Sequence, residues 1–220
     1  MVLFLFTACV LATQPAGATI LTVTGMGYAN PTTVHIEDTN PVASEYVYSG
    51  AFSTTVGGNA FLSWCIDIFK ETFFGPPVSD YHLETGTAVL GQTKADTLGR
   101  LATGYLSQVN DGLTSGAFQL AAWEIVNETA GHPYSLSAGD FTAWGANDNS
   151  LSLAQTWLNS LPSTSSYSVS VWESSTHQNL AVFSVPEPES YTLTLSGLLL
   201  FAFARLRTDR GRNTTRSRRF

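Results

Sequence analysis

Basic residues are scarce through most of this 220-residue chain, and cysteines are scarcer still. From Thr19 to Ser184 the only bases are Lys70, Lys94 and Arg100, set against fourteen acids, so this stretch carries a net charge of −11. A surface of that sign repels phosphate backbones and excludes nucleic acid as a partner. His35, His82, His132 and His177 are scattered without metal-ligand spacing; they read as surface or capping residues, and no metal or other cofactor is expected. Asn147-Asp148-Asn149 lacks the glycine and distal glutamate of an EF-hand loop and reads as a turn. Gly25-Met26-Gly27 opens no helix and runs into Tyr28, Asn30 and Pro31, which removes a nucleotide-binding reading. No Gly-x-Ser-x-Gly elbow and no repeat of twenty residues or more occurs. With no catalytic constellation in view, the chain is read as a binding protein and not as an enzyme.

The two ends carry the sequence's unusual composition. Val2 to Ala12 is an apolar run, and Ala16-Gly17-Ala18 supplies the small-x-small pattern at which signal peptidase cuts, so residues 1–18 read as a signal peptide. No base precedes the run, which points to a start codon further upstream. The apolar segment before Cys9 is too short for a lipoprotein site. At the other end Val185-Pro186-Glu187-Pro188 is a stiff, exposed connector, because proline enters neither a helix interior nor a central strand. An apolar run from Tyr191 to Ala204 follows, then a tail in which Arg205, Arg207, Arg210, Arg212, Arg216, Arg218 and Arg219 face only Asp209. Such a cluster stays on the cytoplasmic side of a bilayer, which puts the preceding body outside. Fourteen helical residues reach roughly 21 Å, short of the ~30 Å hydrocarbon core. A short span of that kind, spotted with Thr192, Thr194 and Ser196, suits a temporary anchor.

This order of parts resembles the PEP-CTERM sorting domain of Gram-negative bacteria, over about the last fifth of the chain. The resemblance implies that an exosortase-type transpeptidase cuts at the proline-flanked Glu187 and transfers the body. It also implies a transient stay in the inner membrane, then a place at the cell surface, outer membrane or extracellular matrix. The arginines here are more spread than in that family.

Once Cys9 leaves with the signal peptide, the body of residues 19–184 keeps one thiol, Cys65, in an oxidising compartment with no partner for a disulfide. Cys65 lies in Phe61-Leu62-Ser63-Trp64-Cys65-Ile66-Asp67-Ile68, an aromatic and β-branched run that reads as a buried strand. A buried cysteine acting as a small hydrophobe is the plain alternative. In Gly116-Ala117-Phe118-Gln119-Leu120-Ala121-Ala122-Trp123-Glu124-Ile125-Val126, Ala122, Trp123 and Val126 share a helical stripe with Gln119, which points the amide inward. An unpaired buried amide costs on the order of 1–3 kcal/mol, so the chain either satisfies Gln119 or reacts it. Asp67 and Glu124 flank the two segments and read as carboxylates held at a strand end and on a helix face for solubility.

The aromatic-Cys-aliphatic segment followed by Gln-x-Ala-x-Trp resembles the internal thioester domains of bacterial surface proteins. The resemblance implies a bond between the Cys65 sulfur and the Gln119 acyl carbon, with Trp64, Ile66, Phe118 and Trp123 as water-excluding cover. It implies covalent adhesion to surface amines or sugar hydroxyls. The alternative is a noncovalent component of the exopolysaccharide or biofilm matrix, with tryptophans and tyrosines stacking on sugars.

For architecture, Thr19–Thr24, Thr33–Ile36, Glu45–Val56, Ala60–Phe69, Tyr81–Thr85, Tyr167–Trp172 and Asn179–Val185 read as β-rich runs. Leu98, Leu101, Ala102, Tyr105 and Val109 mark an amphipathic helix opened by Thr93, the Gln119 helix follows, and a third runs from Ser150 to Leu161. Strands, then helices, then strands predict an α+β fold: a β-sandwich or barrel-like framework with an inserted helical block, plus a C-terminal membrane helix.

Overall fold

Strand β2 (Thr32–Thr39) sets the pattern for the fold, because its residues alternate strictly between core and surface: Thr32, Val34, Ile36 and Asp38 face in, while Thr33 and Glu37 face out. The structure is a computed structural model that describes residues 17–146 and 149–186. The motif residues Glu187 and Pro188, the apolar run 191–204, the arginine tail and most of the signal peptide lie outside the described residues. Among those described, no helix is long and apolar enough to cross a membrane.

Six strands close an antiparallel barrel in the order β1 (Thr19–Met26), β4 (Phe52–Val56), β5 (Asn59–Cys65), β9 (Leu180–Ser184), β8 (Ser168–Glu173) and β6 (Val78–Thr85). The two C-terminal strands fill the gap between β5 and β6, so closure waits on the last part of the body. Closing a small sheet removes its edges, which otherwise invite pairing with other chains. A second sheet has the order β3 (Val42–Ser49), β2 and β7 (Phe141–Trp144). The helices are α1 (Gly86–Leu90), α2 (Gln92–Tyr105), α3 (Gly112–Asn127) and α4 (Ser150–Asn159), with a short 3-10 turn at Leu106–Gln108.

The α+β framework and its barrel agree with the sequence reading, while details differ: α2 begins at Gln92 after Gly91 with no side-chain cap from Thr93, and it ends at Tyr105, short of Val109. The run Glu45–Val56 is two strands in different sheets, split at Gly50, whose φ of +151° is open to glycine and costly for other residues. The run Ala60–Phe69 stops being a strand at Cys65. The helical block is interrupted by β7, a four-residue strand whose short run Phe-Thr-Ala-Trp is too brief to show its period.

Helix α3 is the pillar between the two sheets and touches β2, β3, β5 and β7. Its start is fixed by a reciprocal capping box: the Asp111 carboxylate accepts from Thr114 N at 2.8 Å, and the Thr114 hydroxyl accepts from Asp111 N at 3.2 Å. Its central residues are buried on almost every side, from Ser115 through Ile125. Gln119 is therefore inside because the whole helix is inside, not because it sits on one apolar stripe. Close approach to β2 depends on Gly116, where a Cβ would stand 2.4 Å from Thr32 Oγ1. Two buried contacts lock this face, Ser49 Oγ donating to Gly116 O at 2.9 Å and Ala51 N donating to Ser115 Oγ at 2.8 Å. Gly116→Val forces α3 away from β2 and is expected to cost at least ~1–3 kcal/mol in urea unfolding, the usual range for overpacking.

Candidate functional site around Cys65 and Gln119

Antiparallel geometry leaves the end of β5 with a specific need. Trp64 and Cys65 pair with Ala181 and Leu180 of β9, and Ile66 N donates to Asn179 O at 2.9 Å. Backbone groups alternate direction along a strand, so those of Cys65 point the other way, toward β4. But β4 pairs no further than Phe52 with Ser63, because Ala51 turns off to bond Ser115 and Gly27. The Gln119 side chain takes the vacated place. Its Oε1 accepts from Cys65 N at 3.1 Å, and its Nε2 donates to Cys65 O at 2.7 Å. One amide thus completes the ladder for a strand end that no strand covers.

The two residues singled out from the sequence are therefore in direct contact, and both are shut off from water, Cys65 at 1% and Gln119 at 0% exposure. The four proposed covering residues are all buried as well. Trp64 packs on Phe118 with ring centroids 5.1 Å apart, and Phe183 of β9 touches both rings at 5.4 and 5.5 Å. Phe183 was not singled out from sequence, because its place at the site comes from barrel closure. Ile66 packs with Val171 and Ala181 on the adjoining barrel wall. The thiol donates to Asp67 O at 3.2 Å. Burial pushes its pKa up to about 12, against the smaller opposing effect of the Trp123 side chain. At neutral pH it is a protonated, unreactive thiol toward anything in solution.

Asp67 behaves as a strand-end carboxylate, accepting from Phe69 N at 3.1 Å and pairing with Lys70 at 3.1 Å. Glu124 does not behave as a solubilising helix-face acid. It is fully buried, Ser135 N donates to its Oε1 at 2.6 Å, and its Oε2 has no hydrogen-bond partner among the described residues. Burial, with the neighbouring Glu128 charge adding to it, raises its pKa to about 8.

A second constellation escaped the sequence reading. His132 is not an isolated surface histidine: ligand atoms of Glu128, His132 and Asp140 lie within 4.8 Å of one another, at the end of α3 and the loop after it. The available signal was the Glu128-x-x-x-His132 spacing, hidden because the third member is twelve residues from Glu128 and arrives through the loop. A cleft of about 450 Å³, lined by Tyr28, Asn30, Asp111 and Leu113, involves neither constellation. Comparison of the chain with family models, characterised proteins and solved structures yields no match.

Two outcomes are expected from this geometry. Gln119→Leu removes the partners of two buried backbone groups, each worth on the order of 1–3 kcal/mol, and should lower unfolding stability by roughly 2–5 kcal/mol. Glu124 binds a proton when folded between about pH 4.5 and 8 that it lacks when unfolded, so it makes stability fall as pH rises through that window. Glu124→Gln, which keeps an acceptor for Ser135 N, should flatten that fall in melting curves collected from pH 5 to 8 in metal-free buffer.

Proposed function

We propose that this chain is an exported surface protein whose body adheres covalently through a thioester between Cys65 and Gln119. The observation that carries the reading is the amide of Gln119 held against Cys65 in a dry aromatic enclosure. In the bond-forming step the sulfur attacks the Gln119 acyl carbon, the C–N bond breaks, and ammonia leaves with the thiol proton. The Cys65 N–H, already donating to Oε1, is placed to stabilise negative charge on that oxygen as the carbon becomes tetrahedral. Loss of Nε2 also strips Cys65 O of its donor, which makes the acyl product less stable and more reactive. Attack by an amine or hydroxyl then breaks the C–S bond, returns a proton to the thiolate and leaves the ligand bound to the glutamyl carbon.

The delivery route completes the proposal. Residues 1–18 direct export, the Val185–Pro188 motif and the segments after it hold the chain in the inner membrane with its arginines inside, and an exosortase releases the body to the surface or matrix. Val185, the first motif residue, is largely exposed directly after β9 ends at Ser184, where a processing enzyme can reach it. No turnover of substrate is part of this role.

A second reading, a noncovalent sugar-binding matrix component, has its own support. Trp144, His35 and Tyr46 are opposite one another across β7, β2 and β3, with His35 stacked on Trp144 at 4.3 Å and edge-on to Tyr46 at 4.6 Å. Tyr46, Tyr48 and Trp144 are exposed on this sheet, aromatic surfaces of the kind on which sugar rings stack.

Intact-mass measurement separates the two. The thioester reading predicts a mass short by one ammonia, addition of methylamine at Gln119 with release of a titratable thiol, and loss of both signs in Cys65→Ala. Because the pair is fully enclosed, methylamine should react faster than bulkier amines. A full mass with a free thiol, together with sugar binding lost in Trp144→Ala, would contradict it in favour of the matrix reading.

A further inference from the structure

Three acids on the page break the rule that carboxylates stay in water. Asp38, Glu124 and Glu128 are each at most 1% exposed, and no arginine or lysine forms an ion pair with any of them among the described residues. Asp38 occupies the fourth inward position of β2, where the alternation calls for another aliphatic residue after Val34 and Ile36. A residue that breaks its element's pattern this plainly marks a functional or strained place. Its Oδ1 accepts from Asn40 N at 2.8 Å, while Oδ2 is buried with no hydrogen-bond partner among the described residues. Glu124 Oε2 is in the same condition one helical turn before Glu128. Asp38 lies opposite Phe141, the residue after Asp140, and Glu124 lies on the helix that Glu128 caps, so both orphaned groups sit on the elements that bring Glu128 and Asp140 together.

The donors in that neighbourhood suit a metal. Glu128, His132 and Asp140 offer one imidazole nitrogen and two carboxylate oxygens within 4.8 Å of one another. They are held in place from behind: Glu128 Oε1 accepts from Thr129 N at 3.0 Å, Oε2 accepts from Asp140 N at 2.9 Å, and Asp140 Oδ1 accepts from the Thr39 hydroxyl at 3.0 Å. Such outer contacts orient ligands and leave a second lone pair on each oxygen free. His132 Nδ1 lies 2.9 Å from Glu128 Oε1, a contact that a cation replaces once the ring proton sits on Nε2.

We infer that Glu128, His132 and Asp140 bind one divalent transition-metal cation of the Zn²⁺ or Mn²⁺ kind. An imidazole among carboxylates favours these ions over Ca²⁺ and Mg²⁺, which take oxygen alone. The ion ties the end of α3 to the loop leading into β7, whose Asp140 is bonded by Thr39 of β2, and so braces the sheet that carries the exposed aromatic residues. The inference does not rest on the thioester.

The test uses the untagged full-length protein, stripped with chelator, dialysed and titrated separately with Zn²⁺, Mn²⁺ and Ca²⁺ by calorimetry, with melting curves at saturation. One equivalent of Zn²⁺ or Mn²⁺ should bind and raise the melting temperature. Asp140→Asn and His132→Ala should each weaken binding at least about tenfold, with the metal-free circular dichroism of His132→Ala, an exposed loop residue, unchanged. Absence of stoichiometric binding, a preference for Ca²⁺ alone, or affinity indifferent to both substitutions would each overturn the assignment.

Discussion

The end of β5 is held by a side chain instead of a strand, and the architecture of the site follows from that substitution. Cys65 presents a buried N–H and C=O on the side that β4 has left, and a carboxamide is the one side-chain group that both accepts and donates across that spacing. Gln119 is carried there by α3, whose rotation and height are fixed by the Asp111 capping box and by the close approach at Gly116. The same bidentate contact that satisfies the backbone also holds the Gln119 amide against the residue that carries the thiol. A structural need of the strand end and a possible covalent chemistry thus use one pair of residues.

Enclosure sets the chemical character of the pair. With the sulfur shielded and its pKa near 12, the free thiol resists oxidation and exchange. For an acyl-sulfur bond the same dryness suppresses hydrolysis. The cost falls on access, since any partner nucleophile must pass the Trp64, Phe118 and Phe183 rings. Reaction at this site requires local opening of the wall that β5 and β9 form, and the two-residue pairing between those strands is the short seam where opening is easiest.

Much of this was legible in the residues themselves. β1, β2, β6, β8 and β9 follow from alternating or β-branched runs, and α2 and α4 from their periodic apolar faces. Cys65 and Gln119 stand out because one is a lone thiol and the other an amide in an apolar helix. What could not be read is whatever depends on three-dimensional closure. The split at Gly50 sends β3 and β4 to different sheets, Phe183 joins the site only through barrel closure, and β7 is too short to announce its period. Glu124 looks like an ordinary surface acid until α3 is known to be surrounded on all sides. The Glu128, His132 and Asp140 group forms only when the loop after α3 folds back.

The proposed covalent joint between β5 and α3 is most directly examined by high-resolution diffraction from freshly purified, unheated protein. Continuous density from Cys65 Sγ to Gln119 Cδ at bonding distance, with no atom at the Nε2 position, is the predicted result. An intact carboxamide still donating to Cys65 O, beside a separate thiol, would contradict the account and leave Gln119 as a purely structural substitute for a missing strand.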